Sequence, residues 1–251
     1  MNSFLVSTAV FVALFGSALL GLRLKNRLPD DHLGDKSKDA VRIGMGSVAT
    51  LAALVLGLLL ASTKGTYDTE KNEVIQMAAK IVCLDQTLAN YGPAAKECHN
   101  VLRVAAQSAT LRIWPDSVLG SNSIAPGNVW SRDLPQAIQQ LAPQTEAQRT
   151  FKSQAAQLAN ELGQMRWLLF EQSQSSISTP LLVMMVFWMA MTYASVGLFA
   201  PANGTVVGAQ FLAALAVSGA LFLILELDQP FDGLIRISNQ PMLNALQHLA
   251  N

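Results

Sequence analysis

Four stretches of this chain carry no charged residue over membrane-spanning length: 4–22, 43–63, 180–200 and 205–225. A helix needs about 20 apolar residues to cross the hydrocarbon core of a bilayer, and a backbone that crosses it must satisfy its own hydrogen bonds. Each stretch meets that length. Buried helices of water-soluble domains are usually shorter and carry charges along one face. The pattern predicts an all-α integral membrane protein whose four transmembrane helices come in two pairs, within residues 1–63 and 180–225. Residues 64–179 read as a helical extramembrane domain between spans two and three, and residues 226–251 as a C-terminal tail.

Charge distribution sharpens this. All 17 Lys and Arg and all 17 Asp and Glu lie outside the four stretches, and the formal net charge is zero. A balanced charge gives no reason to expect nucleic acid as a partner; the lipid bilayer is the partner the composition implies. The first stretch reads as a retained span, because no Lys or Arg precedes it and Arg23, Lys25 and Arg27 follow it directly. Orientation is finely balanced. The 23–42 connection holds six Lys and Arg, against five near the span ends on the opposite side, which leans towards an outside N-terminus.

Between the pairs, Val74, Met77, Ile81, Leu84 and Leu88 recur in steps of three and four, as on one face of a helix. Tyr91-Gly92-Pro93 ends that helix, and a second is expected over residues 94–113. Residues 115–133 read as a loop, 134–141 as a short helix, and a long helix starts near Thr145 with a stripe of Phe151, Leu158, Leu162, Met165 and Leu169. Spans two and three are expected to continue beyond the membrane as stalks, with the Tyr91 hairpin between them. Cys83 lies off the apolar stripe, so two free thiols are expected at Cys83 and Cys98 rather than a bridge.

Several positions could carry function. Gly46, Thr50, Ala53 and Gly57 place small side chains on one side of span two, where close helix approach supplies packing energy in lipid. That face is expected to meet another helix, at a pore or a subunit interface. Span three carries Met184, Met185, Met189 and Met191 with Phe187 and Trp188, a bulky and adaptable surface. Gln210 and Ser218 are the polar mid-span groups of span four, fit either for bonding a neighbouring helix or for lining a pore. Glu226 and Asp228 sit where span four leaves the membrane, before Pro230, Phe231, Gly233 and Arg236. Asp228 is expected to pair with Arg236 and fix that turn, leaving Glu226 as a charge at a pore mouth or subunit contact.

Asp30, Asp31, His32 and Asp35 gather in the first connection, without a recognised metal-ligand spacing, and read as solvated or as a helix cap. Cys98-His99 has no second pair nearby and reads as incidental. Phosphate loops, nucleophile elbows, zinc-protease motifs and dinucleotide fingerprints are absent, so neither an enzyme nor a cofactor or metal is expected.

Three blocks resemble the bestrophin-like domain family of bacterial membrane proteins. They are Leu28-Pro29 with His32-Leu33, Ser37-Lys38-Asp39 and Val41–Thr63; then Leu84–Pro93; then Leu225–Leu246, within which Glu226–Gly233 is the most specific. The family has no established activity. Its name implies kinship with bestrophins, which are four-span, pentameric, anion-selective channels with a cytosolic helical part between spans two and three. The resemblance thus implies a multi-pass protein of the bacterial inner membrane, a homo-oligomer, and an inorganic anion as the permeant species. It departs from bestrophins in span two, which has no aromatic residue to narrow a pore, and in residues 228–239, which lack a calcium-binding acidic cluster. Two classes of function follow: an oligomeric ion channel, and a non-conducting scaffold or sensor whose helical domain binds a partner.

Overall fold

The computed structural model describes residues 2–29, 34–114, 133–172 and 178–250. Eight α-helices follow one another among them: α1 (Ser3–Lys25), α2 (Asp35–Tyr91), α3 (Lys96–Ile113), α4 (Leu134–Gln140), α5 (Glu146–Gln172), α6 (Thr179–Phe199), α7 (Gly204–Leu227) and α8 (Gln240–His248). Four are long and apolar enough to cross a membrane: α1, the first part of α2, α6 and α7. The all-α class and the four candidate spans agree with the sequence reading. The chain divides into two units, Met1–Tyr67 with Ser175–Ile235, and Asp68–Gln174 with Arg236–Asn251.

Helix α2 passes from one unit into the other. Its 57 residues have no Pro to break it. The stalk expected after span two is therefore the same helix as the span. α5 and α6 are separated by residues 173–177, outside the described residues, where continuity between stalk and span three would have to be read.

In the first unit the core is a cluster of Val10, Leu14 and Ala18 from α1, Ala52 from α2, Met185, Met189 and Tyr193 from α6, and Ala214 and Leu221 from α7. α1 packs chiefly against α6 and also against α7. The α1–α6 crossing is built on glycine. A Cβ on Gly21 would collide with the Ala194 carbonyl, and one on Gly197 with the Ala18 carbonyl, so each helix lays its backbone against the other. Close backbone contact of this kind is how helices gain dispersion energy in lipid. At the end of the pair, Lys25 Nζ donates to the Ala200 carbonyl at 3.1 Å, placing a cation at the electronegative end of α6. Beside this crossing, Phe211 of α7 meets Phe11 and Phe15 edge-on, with centroids 5.3 and 5.5 Å apart. Asn203 caps α7, its side chain accepting from the Val206 N–H at 2.9 Å.

The second unit has an ordinary apolar core. Val74, Met77, Ile81, Leu84 and Leu88, the stripe read from the sequence, are all fully buried. They share it with Leu102, Ala105 and Ala106 of α3, Leu134 and Ile138 of α4, Ala155, Ala159 and Leu162 of α5, and Met242 of α8. On α5, Leu162 and Leu169 are buried together with Ala155 and Ala159, while Phe151, Leu158 and Met165 are half-buried. Gly92, at φ +107°, ends α2, and a 3-10 turn at Pro93–Ala95 leads into α3. Trp114 at the end of α3 donates its indole N–H to the Ile237 carbonyl at 2.9 Å, tying the tail to this unit.

Candidate functional site

Gly46, Thr50, Ala53 and Gly57 are all exposed in the protomer. Nothing lies within 4 Å of the position a Cβ would take on either glycine. The side of α2 that packs inward is another one, carrying Ala52 with Val55, Leu56 and Leu59. Thr50 turns its hydroxyl onto its own helix, donating to the Gly46 carbonyl at 2.9 Å. The stripe is thus an uncharged face of small residues, open along its length. On α7, Gln210 is half-buried and Ser218 is buried, the latter donating to Leu215 of its own helix at 3.0 Å. That bond satisfies the Ser218 hydroxyl within α7.

The turn that follows α7 is built around a buried acid. Glu226 is only 5% exposed. Its Oε2 accepts from the backbone N–H of Leu234 at 2.6 Å and of Ile235 at 3.4 Å. Gly233 is at φ +84°, and a Cβ there would fall 2.6 Å from the same oxygen. Only glycine can bring the chain over the acid. A carboxylate taken out of water is costly unless donors replace the solvent, and two backbone N–H groups do so here. From the sequence, Asp228 was expected to fix this turn and Glu226 to stand at a pore mouth or subunit contact; the structure buries Glu226 under the chain that follows and gives it two backbone hydrogen bonds. Asp228 closes α7 as its C-cap, its N–H donating to the Ile224 carbonyl at 3.1 Å. Pro230 is buried, Phe231 half-buried and Arg236 exposed.

In the second unit, His99 does not stand alone. Its Nδ1 lies 2.7 Å from Asp85 Oδ1, and His248 Nδ1 of α8 lies 3.6 Å from Asp85 Oδ2. Asp85 and His99 are each seven residues from Gly92. In an antiparallel hairpin, equal distances from the turn bring residues together, and that register was legible in the sequence. His248 was not, because no local pattern links α8 to the hairpin. Lys80 of α2 and Glu161 of α5 form an ion pair, which together with a hydrogen bond from Gln157 holds the Glu161 carboxyl below its usual range. Cys83 and Cys98 are free, as expected, and burial pushes the Cys98 thiol up. Among the described residues no three His, Cys, Asp or Glu side chains are arranged to hold a metal ion. Asp30, Asp31 and His32 lie outside the described residues.

The bestrophin-like domain pattern matches residues 10–242. No curated protein matches the chain by sequence. Among solved structures, the chain is similar to an isoleucine-to-threonine variant of a bacterial bestrophin homologue from Klebsiella pneumoniae, with TM-score 0.73 and 12% identity over 96% of this chain and 98% of that one. A proline-to-alanine variant of a membrane protein gives TM-score 0.72 and 12% identity over 97% of both chains. At such identity the likeness concerns the fold, and the fold is shared from end to end. With the family pattern covering nearly the whole chain, the protein belongs to the bestrophin-like domain family.

Proposed function

We propose that the protein is a homo-oligomeric channel for small inorganic anions in the bacterial inner membrane, crossing it four times. The observation that carries this reading is the bestrophin-like fold along the whole chain. The open face of α2 supports it. Gly46, Thr50, Ala53 and Gly57 offer small and hydroxyl side chains without charge, suited either to a close helix neighbour or to a path for a dehydrated ion. By kinship the assembly is a pentamer, and residues 64–179 lie in the cytosol. Gln210 and Ser218 remain candidates for the pore or the subunit contact, and Glu226 acts at one remove, by shaping the end of α7.

Planar-bilayer recording of the purified protein tests conduction, with native mass spectrometry on the same sample. We expect a chloride-permeable conductance from an oligomer; a silent bilayer with a correctly assembled oligomer overturns the channel. A second reading, a membrane scaffold or sensor, draws support from Trp167 and Leu168, both exposed on α5 in the second unit. A silent bilayer together with co-purification of a protein through those two residues would favour it.

A further inference from the structure

Among the exposed residues of α7, Leu212, Leu215, Gly219 and Leu223 recur in steps of three and four along one side of the helix. The next position on that stripe is Glu226, so by helix geometry its side chain starts out on the same open face. It is nevertheless buried, because the chain folds back after Pro230 and covers it. What the turn presents in place of the acid is Leu234, 81% exposed. Its main-chain N–H is the one held at 2.6 Å by the Glu226 carboxylate, so its depth is that of the last turn of α7. The turn withdraws a carboxylate from the open face of a membrane helix and carries an exposed leucine beside it.

We infer that Leu234 is a lipid contact: it completes the bilayer-facing stripe of α7 and seats the end of this span at the boundary between acyl chains and headgroups. Two things argue for lipid rather than water or protein. The stripe it extends is leucine-rich and belongs to a helix of membrane-spanning length. Its neighbours along the chain, Asp232 and Arg236, are exposed and charged, as expected where a backbone rises out of the hydrocarbon into the headgroup layer. An ionised carboxylate facing acyl chains is costly, and the leucine keeps them off the Glu226 clasp. The inference needs α7 to span the membrane, and is independent of whether the protein conducts.

The test uses full-length Cys83→Ser protein carrying Leu234→Cys, labelled with an environment-sensitive fluorophore and reconstituted into phosphatidylcholine vesicles. Cys98 is buried with its thiol held up, so labelling falls on the new cysteine. Interfacial groups sit about 5–10 Å into the headgroup boundary, so lipids spin-labelled near the headgroup should quench the probe about twofold more than lipids labelled at the chain end. The same label at Ser238 should respond to aqueous iodide, and at Leu215 to the chain-end lipids. If the Leu234 probe answers iodide as Ser238 does, or answers neither quencher because a second copy covers it, the inference is overturned. If the Leu215 probe also escapes lipid quenching, the membrane assignment of α7 fails instead.

Discussion

Glu226 starts on the open face of α7 and ends under the chain that follows. Replacing it with Gln puts an amide in place of the carboxyl in a buried group that accepts two backbone hydrogen bonds. Such a change costs about 1–3 kcal/mol, and we expect Glu226→Gln to lower the melting temperature in detergent more than Asp228→Asn does. The opposite order in the same melting assay would return the turn to Asp228. Gly233→Ala should cost a similar amount, about 1–3 kcal/mol, from a strained φ alone, and more because its Cβ meets the Glu226 oxygen. The sequence singled out Glu226, Asp228, Pro230, Phe231, Gly233 and Arg236 in this turn, yet left Glu226 as an outward-facing charge. Which acid folds inward depends on where the chain travels between Pro230 and Ile235, and the spacing Glu226-Leu-Asp228 holds no trace of that path. The Asp85–His99 contact was the reverse case, readable from its symmetry about Gly92 but passed over.

At the level of elements, hydropathy and periodicity revealed nearly everything local: four spans, the Tyr91 hairpin and the fully buried stripe of α2. Which helix lies against which was the harder matter. The small-residue face that stood out was that of α2, and it is open in the protomer. The face that closes the protomer is formed by Ala18 with Gly21 and Ala194 with Gly197, pairs three apart on helices far apart in sequence. Short small-residue pairs are common in apolar helices, so only the approach of the backbones distinguishes them. Gly21→Leu or Gly197→Leu should destabilise the protomer by at least about 1–3 kcal/mol, the usual cost of overpacking. Gly57→Leu should leave the protomer's melting unchanged and weaken the oligomer, and the two effects are separated by thermal melting and native mass spectrometry. The α2–α5 contact in the second unit has its own signature. Glu161 is held below its usual range by Lys80 and Gln157, so its contribution is complete above about pH 4.5 and is lost as pH falls through the lowered value. Wild-type protein should therefore lose stability below about pH 4.5 more steeply than Glu161→Gln, measured by chemical denaturation across that range.

For the molecule as a whole, the order of synthesis differs from the order of packing. α1 is made first, but its main partner is α6, and the residues joined at the end of that pair, Lys25 and Ala200, are 175 apart in the chain. At five to twenty residues per second, about 10–35 s pass between the appearance of one and the other. During that time the glycine face of the first helix lacks its partner, and α2 and the whole of residues 68–174 are produced before the matching glycine exists. The bundle is thus completed backwards, its latest helices returning to enclose its earliest. A ribosome that stalls anywhere before α6 leaves the glycine face of the first helix in the membrane without the partner that closes it.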